Sequence, residues 1–215
     1  DVEPLQLPID FERPPVQSIK GANVNFEIGK ELSDALQTLS KQNGATLFMT
    51  MLAAFNVLLN RYSGQESISV GTPIAGRQQE EVEKLIGFFV NTLTLRNDVD
   101  TEATFMELLQ QVRATTLEAY EYQDVPFEKI VDVAAKQRDM TRSPLFQIIF
   151  ALQNTPDVPE LNLGDVKLSN EVFPNVNSKF DMTFFTVETP EGIKGSVEYC
   201  IDLFKEETIN KMIAH

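Results

Sequence analysis

Apolar positions along the chain follow two different periods. Apolar and polar residues alternate around Val24, Phe26 and Ile28, as in a half-buried strand, and again over residues 67–70. Between these segments, and again after residue 104, apolar residues recur every three or four positions, as on one face of a helix. The pattern predicts strands that alternate with long helices, which is typical of an α/β fold.

Start and stop signals place three of the helices. The first has apolar residues at positions 32, 35, 36 and 39 and closes at Gly44. The second begins near Thr46 and is apolar on more than one face up to Gly64, so we expect it to be central. The third begins at a capping box formed by Thr104 and Glu107. Its predicted inner face consists of Phe105, Leu108, Leu109, Val112, Thr116 and Ala119.

The remaining segments include an arm, a buried strand and a late hairpin. Residues 1–19 contain four prolines and few regular apolar positions, so we expect an extended arm. Residues 145–152 are almost continuously apolar, which predicts a strand buried on both faces. An irregular loop at 154–160 and three strands around 165–173, 179–188 and 193–200 follow, with a hairpin at 190–192. The predicted fold class is therefore an α/β two-layer sandwich with a mixed β-sheet covered by helices.

The stretch at residues 70–96 combines strand, loop and helix signals. The strand over residues 67–70 is interrupted at Gly71, so we expect a loop from there. The loop has glycines for close backbone approach, a proline that fixes its path and a cation at its exit, namely Gly71, Gly76, Pro73 and Arg77. A short acidic helix is predicted next, with Glu80, Glu81, Val82, Leu85 and Ile86, and Gly87 as its cap.

A second strand is predicted to begin at Phe88 within the same stretch. It contains two polar residues, Asn91 and Thr92, among apolar neighbours. A buried amide without a partner costs about 1–3 kcal/mol. We therefore expect the Asn91 amide to have hydrogen-bond partners.

Composition excludes several classes of protein. The chain has 215 residues, 42% of them hydrophobic, but no apolar run approaches the roughly 20 residues of a membrane span. The 18 Lys and Arg residues against 32 Asp and Glu residues give a net charge of −14, which argues against nucleic-acid and anionic-membrane partners. The single cysteine, Cys200, predicts no internal disulfide, a cytoplasmic setting and a small buried side chain at a strand end. The chain starts without Met and ends inside a helical pattern, so we expect a segment of a longer protein.

Candidate catalytic and metal-binding residues are few. The only histidine is His215, the last residue, so no imidazole is placed to pair with Cys200 or to join a metal cluster. Residues 71–76 lack the Lys-Ser/Thr ending of a phosphate-binding loop. The many carboxylates lie on predicted helix faces, which is typical of a solvated surface. The sequence therefore predicts no catalytic residue and no metal site.

Several segments together identify a family. Residues 70–77 and 86–96 read VGTPIAGR and IGFFVNTLTLR, residues 123–129 read QDVPFEK, and residues 138–147 read RDMTRSPLFQ. In this order they resemble the fifth core motif, the QDxPFE motif and the RDxSRxPLF motif of non-ribosomal peptide synthetase condensation domains. The similarity extends over essentially the whole chain. The catalytic HHxxxDG motif, which precedes these motifs in the family, is absent, so the chain resembles only the C-terminal lobe.

The resemblance implies one lobe of the chloramphenicol-acetyltransferase-like fold. In that family two lobes form a V-shaped domain with a tunnel between them, which substrates enter on the 4′-phosphopantetheine arms of carrier proteins. Residues 1–19 would then be an inter-lobe linker and residues 20–215 the lobe, with a floor loop at 71–89 and a latch at about 152–178. The implied partners are the N-terminal lobe, peptidyl carrier proteins and the adjacent adenylation domain, with no cofactor bound directly.

The same resemblance implies the site residues. Those of the substrate tunnel and floor loop are Gly71, Pro73, Gly76, Arg77, Phe89, Asn91 and Thr92. Those of the two later motifs, which we expect to be structural, are Asp124, Pro126, Phe127, Arg138, Asp139, Arg142, Ser143 and Pro144.

Several roles stay open. Asn91 is either a hydrogen-bonded amide that holds the loop or a substrate contact. Arg77 either positions a substrate or carrier phosphate, or pairs with a helix carboxylate. The QDVPFE segment is interpreted as a joint between two helices, with Asp124 as cap and Phe127 as anchor. The whole chain is either half of a peptide-bond-forming condensation domain that lacks the base, or a non-catalytic module that docks acyl carrier proteins.

Overall fold

The computed structural model describes residues 2–76, 85–87, 89–135, 139–153 and 177–215. Most of the predicted acidic helix, the loop at 154–160 and the strand at 165–173 lie outside the described residues. The strands are β1 Gly21–Gly29, β2 Ser67–Ala75, β3 Val90–Asp98, β4 Ile148–Gln153, β5 Met182–Thr189 and β6 Gly192–Cys200. The helices are α1 Lys30–Gln42, α2 Leu47–Ser63, α3 Phe105–Glu121, α4 Phe127–Ala134 and α5 Glu206–Ala214.

The described strands form one mixed sheet in the order β1-β6-β5-β4-β2-β3. β4 lies parallel to β5 and to β2, and the other neighbouring strands are antiparallel. The predicted hairpin joins β5 to β6, since Thr189 pairs with Gly192. The strongly apolar strand β4 therefore lies inside the sheet, as the sequence pattern predicts.

Helix α2 occupies the centre of the helical layer. The ring of Phe55 lies 5.2 Å from that of Phe150 on β4 and 4.7 Å from that of Phe184 on β5. Thr46 caps the helix, and Gly64 ends it in the left-handed conformation with a φ of 70°. More than half of the residues of α2 are buried. The expectation that this helix is central is confirmed.

Helices α1, α3 and α5 complete the same layer. α3 packs against α2 and β3, α1 against α2, β1 and β6, and α5 against β1. α3 begins at the predicted capping box, where the Glu107 carboxylate accepts a hydrogen bond from the Thr104 N–H at 2.8 Å. Its predicted inner face is confirmed, with Leu109 and Val112 fully buried. In α1, by contrast, Leu32 is 58% exposed, so the apolar spacing predicts the helix but not its buried face.

Strand β2 is longer than the sequence pattern predicts. It pairs with β3 from Ser67 to Ala75, so Gly71 and Pro73 lie in a strand rather than in a loop. On its other side, β2 pairs with β4 at one position, Gly71 opposite Ile149. Pro73 is tolerated because it lies beyond this position, where no described strand pairs with that edge of β2 and needs its N–H.

Two further expectations are wrong. The buried strand begins at Ile148 rather than at Leu145, because Leu145 has a φ of 65° that interrupts the extended backbone. Residues 85–87, the described end of the predicted acidic helix, are not helical, and Ile86 is fully exposed. Gly87 therefore does not cap a helix at this point.

The arm at residues 2–19 has no regular secondary structure but is held along its length. The Asp10 carboxylate accepts a hydrogen bond from the Lys205 N–H at 2.8 Å, just before α5. The Gln17 N–H donates to the Met140 carbonyl at 2.8 Å. The arm is thus fixed to segments that are distant in the sequence.

Candidate functional site

Gly71 and Phe146 bring two of the sequence motifs into contact. The Phe146 ring lies directly over Gly71, where a Cβ atom would overlap the ring. Phe146 is only 1% exposed, so its ring has little room to move aside. Glycine is needed in β2 because of this ring and not because the chain turns there.

A tight turn at Leu145 precedes this ring. The Phe146 N–H donates to the Pro144 carbonyl at 2.8 Å, and Leu145 between them has a φ of 65°. This is a γ-turn with a positive central φ, which is rare and strained for a residue with a side chain. Leu145 is buried in a hydrophobic cluster with Phe146 and Ile149, and this burial holds the strained turn in place.

Phe127 joins the remaining motif to the same cluster. The centroid of its ring lies 5.4 Å from that of Phe146, which in turn lies 5.6 Å from that of Phe180. Phe127 is the first residue of α4 and packs against the cluster. Ile149 belongs to this cluster, whereas its neighbour Phe150 faces α2, so α4 covers the opposite face of the sheet.

Asn91 ties the joint between α3 and α4 to β3. Its Nδ2 donates to the carbonyls of Gln123 and Val125, both at 2.8 Å. Its Oδ1 accepts hydrogen bonds from the N–H of Thr92 at 2.9 Å and from the N–H of Phe127 at 3.2 Å. The side-chain amide thus uses both donors and both acceptor positions, and it caps α4 from a neighbouring strand.

This cap corrects the role expected for Asp124. Pro126 occupies the N-cap position of α4 and makes no side-chain hydrogen bond there. Asp124 lies before that position and is engaged in another interaction. Asn91, rather than Asp124, accepts the hydrogen bond from the N–H of Phe127, the first residue of the helix.

We define the motif junction as Gly71, Asn91, Phe127 and Phe146. These residues come from the segments whose sequences resemble family motifs, and the fold brings them together. None of them has an ionisable side chain, so the motif junction can shape and hold a surface but cannot transfer a proton.

The β2/β3 hairpin runs from the motif junction to the base of the expected floor loop. At this base Ala75 pairs with Val90, and the Gly76 N–H donates to the Phe89 carbonyl. A Cβ on Gly87 would lie 2.8 Å from the Phe89 ring. Gly76 therefore lies where the two sides of the hairpin approach closely, whereas Gly87 lies against a ring on its own side of the hairpin.

Exposed apolar side chains flank this base. Leu85, Ile86 and Val90 are 52%, 104% and 49% exposed, and Pro73 is also exposed. Single exposed apolar residues are common, but several beside one hairpin base are typical of an interaction surface. Arg77, whose role stays open, lies outside the described residues.

The RDMTRSPLF segment forms a compact polar loop before the γ-turn. The Asp139 carboxylate accepts hydrogen bonds from the Thr141 hydroxyl at 2.6 Å and from the Thr141 N–H at 2.8 Å. These hydrogen bonds lower the pKa of Asp139 below its ordinary value. The Nε atom of Arg142 lies 2.9 Å from the same carboxylate, as an ion pair out of line for a hydrogen bond. Arg138 lies outside the described residues.

Sequence reasoning missed two buried polar residues beside the motif junction. Gln147 is 3% exposed, and its side chain donates to the Ser143 carbonyl at 3.0 Å and accepts from the Leu5 N–H at 2.7 Å. Asp181 is 6% exposed, and its carboxylate accepts hydrogen bonds from the Arg13 guanidinium. Gln147 is a polar residue within an otherwise apolar run, and this pattern could have identified it as a buried polar residue.

The thiol and the imidazole of the chain are not part of the motif junction. Cys200 is buried at the end of β6, where burial raises the pKa of its thiol and disfavours the reactive thiolate. The Nδ1 atom of His215 lies 2.9 Å from the Tyr62 hydroxyl, at hydrogen-bond distance. Among the residues that the structure describes, no group of three or more His, Cys, Asp or Glu side chains is arranged to hold a metal ion.

No single helix within the described ranges is long and apolar enough to span a membrane. Helices α1 and α2 reach that length and composition only as a pair, and they are bent by 104° at the break between them.

Curated proteins similar to this chain are peptide antibiotic synthases. A linear gramicidin synthase of Brevibacillus parabrevis is 52% identical over 213 residues, which cover 98% of this chain and 4% of that protein. Tyrocidine synthase 3 of the same organism is 44% identical over 215 residues, covering 98% of this chain and 3% of that protein. The chain therefore spans only a small part of these relatives.

A family model and a solved structure agree with this similarity. The X-domain in a complex with OxyB from teicoplanin biosynthesis matches with a TM-score of 0.88 and 26% identity, over 100% of this chain and 47% of that chain. The family model for the condensation domain matches residues 1–215. This chain therefore belongs to the condensation-domain family of non-ribosomal peptide synthetases and has its chloramphenicol-acetyltransferase-like fold.

Proposed function

We propose that this chain is the C-terminal lobe of a condensation domain and takes part in joining carrier-bound donor and acceptor thioesters through an amide bond. The motif junction carries the proposal, because segments typical of the family meet there at the start of the β2/β3 hairpin. The length of the chain also supports the assignment to one lobe, since the chain matches about half of a solved X-domain chain. Residues 1–19 are then the inter-lobe linker, and residues 20–215 are the lobe.

The lobe's part in the reaction is to shape the site. Amide formation needs a positioned amine, a stabilised oxyanion and a proton acceptor. The motif junction offers no proton acceptor, and His215 lies at hydrogen-bond distance from Tyr62. We therefore assign the proton acceptor to the HHxxxDG motif of the N-terminal lobe. This chain supplies the latch at about 152–178 and the tunnel wall and floor loop with Gly71, Pro73, Gly76, Arg77, Phe89, Asn91 and Thr92.

The proposal includes the setting of the reaction. The substrates arrive on the 4′-phosphopantetheine arms of peptidyl carrier proteins, and the lobe binds no cofactor of its own. The N-terminal lobe and the adjacent adenylation domain are the other partners, in the cytoplasm. The buried, unpaired Cys200 agrees with a reducing compartment.

Reconstitution from two separately expressed lobes tests this function. This chain alone is expected to form no peptide from loaded carrier proteins. Addition of the N-terminal lobe with an intact HHxxxDG motif is expected to restore product, and the same lobe with the second histidine replaced by Ala is not. Turnover by this chain alone, near the rate of a complete domain, would contradict the proposal.

A second candidate function is a non-catalytic module that docks acyl carrier proteins. What favours it is that a structural relative, the X-domain, is found in a complex with another protein, OxyB, which is consistent with a protein-docking role. The reconstitution experiment separates the two functions. Binding of a holo carrier protein by this chain alone, with no gain in turnover when the N-terminal lobe is added, supports the docking module.

A further inference from the structure

The arm contacts the sheet at two buried points. The Leu5 N–H donates to Oε1 of Gln147 at 2.7 Å. Further along the arm, Nη1 of Arg13 donates to Oδ1 of Asp181 at 2.9 Å, while Nη2 donates to Oδ2 of the same carboxylate. The side chains of Arg13 and Asp181 are 15% and 8% exposed. A two-pronged ion pair at this burial fixes orientation as well as distance. We define these two contacts as the arm clamp.

The two residues that receive the arm clamp are themselves joined. The Asp181 N–H donates to the Gln147 carbonyl at 3.0 Å, where β4 and β5 begin. The Cys200 N–H donates to the Asp181 carbonyl at 3.0 Å, which connects the same point to the end of β6. The arm clamp therefore acts on a rigid corner of the sheet.

Each receiving residue is also the sequence neighbour of an aromatic residue that either belongs to the motif junction or packs against its Phe146 ring. Gln147 follows Phe146, and Asp181 follows Phe180. The centroids of these two rings lie 5.6 Å apart, and the Phe146 ring also contacts Phe127. Closely packed protein interiors transmit displacement. A shift of Gln147 or Asp181 is therefore expected to move the neighbouring ring, Phe146 or Phe180.

We propose that Gln147 and Asp181 are positioning residues through which the arm sets the Phe146–Phe180 ring pair and, through it, the motif junction. Release of the arm frees both ring-bearing segments, which loosens Phe127 and its hydrogen bond to Asn91. The coupling gives the arm control over the base of the floor loop. The control over the floor loop rests on the proposed function, but the coupling between the arm and the motif junction is tested without any measurement of activity.

Hydrogen exchange of backbone amides in this chain tests the coupling. The variant Arg13→Gln removes the charge and the two-pronged pair while leaving every residue of the motif junction in place. The N–H groups of Phe127 and Thr92 donate to Oδ1 of Asn91, and we expect them to exchange at least about tenfold faster. We expect the N–H of Leu59 in α2 to keep its wild-type rate. This selectivity distinguishes coupling from a general loss of stability, which accelerates all three.

Asp202→Asn is the matched control. Asp202 also holds the arm, since its carboxylate accepts a hydrogen bond from the Ser18 hydroxyl at 2.7 Å, but it is not the neighbour of a junction ring. We expect this variant to leave the exchange of Phe127 unchanged. Arg13→Lys keeps the charge but not the planar fork, so we expect an exchange rate between those of Arg13→Gln and the wild type.

Two outcomes would overturn the proposal. In the first, Arg13→Gln accelerates exchange at Leu5 but leaves Phe127 at its wild-type rate. In the second, Asp202→Asn accelerates Phe127 as much as Arg13→Gln does. If Arg13→Gln does not fold, Arg13→Lys and Gln147→Met provide the same comparison. Failed reconstitution together with selective exchange would reject the proposed function and leave the coupling intact.

Discussion

The Oδ1 atom of Asn91 lies 3.2 Å from the backbone nitrogen of Phe127 and accepts its hydrogen bond. A residue of β3 thereby caps helix α4, whose own N-cap residue, Pro126, makes no side-chain hydrogen bond. α4 has no fully buried residue, so its position depends on this cap and on the packing of its partly buried apolar side chains, Phe127 among them, against the cluster around Phe146. The joint between α3 and α4 is therefore fixed to the sheet.

Replacement of Asn91 by Ala is expected to lower the free energy of unfolding by about 1–3 kcal/mol, because backbone partners in the joint lose their hydrogen bonds. Urea unfolding followed by circular dichroism measures the change. Asn25→Ala, at an exposed position of β1, is the control and is expected to stay within about 0.5 kcal/mol of the wild type. Equal stabilities of Asn91→Ala and the wild type would contradict the role assigned to this amide.

Replacement of Gly71 by Ala is expected to destabilise the chain by about 1–3 kcal/mol, because the added Cβ overlaps the buried Phe146 ring. The second variant Phe146→Leu makes room, so a double-mutant cycle is expected to show a favourable coupling between the two changes. At Gly29 a Cβ meets nothing within 4 Å, which makes Gly29→Ala the control. Additive effects of Gly71→Ala and Phe146→Leu would show that the ring does not restrict position 71.

The γ-turn predicts an unusual order of stability at Leu145. A variant with Ala at a given position is ordinarily more stable than the variant with Gly. A φ of 65°, however, strains every residue that has a Cβ. We expect Leu145→Gly to be more stable than Leu145→Ala by about 1 kcal/mol in chemical denaturation. At Leu117, an exposed position within α3, we expect the opposite order by a similar amount, about 1 kcal/mol. The same order at both positions would mean that Leu145 does not adopt a positive φ.

The capping box of α3 predicts a pH dependence. Hydrogen bonds from the Thr104 N–H and hydroxyl lower the pKa of Glu107 below its ordinary value of 4.5. Since the carboxylate is favoured in the folded state, its contribution is complete above the unfolded-state pKa and is lost as the pH falls through the folded-state pKa. The stability difference between the wild type and Glu107→Ala is thus expected to be constant near neutral pH and to shrink below 4.5. A stability difference that stays constant as the pH falls below 4.5 would contradict this role of Glu107.

Local signals were sufficient for most of the helices and strands. The capping box at Thr104 and the left-handed Gly64 are properties of a few consecutive residues, so a pattern predicts them directly. The late hairpin and the central position of α2 were also predicted, because both follow from local periodicity and turn residues.

Contacts between distant segments were not predictable in the same way. Gly71 was interpreted as a loop glycine, although a ring from a remote segment, Phe146, is the reason for it. Leu145 carries no residue-type signal for a positive φ, since its conformation is held by tertiary burial. The need of Asn91 for partners was predictable from its apolar neighbours, but the identity of Phe127 as one of them required the fold.

Strands β2 and β4 share a single paired position, Gly71 opposite Ile149. The sheet therefore consists of a four-strand ribbon and a two-strand ribbon that share one paired position, beneath the Phe146 ring. Rotation of the smaller ribbon about this point breaks few main-chain hydrogen bonds, whereas rotation within a fully paired sheet breaks many. The two ribbons are therefore joined mainly by side-chain packing, and helix α2, which contacts both β2 and β4, lies across this join.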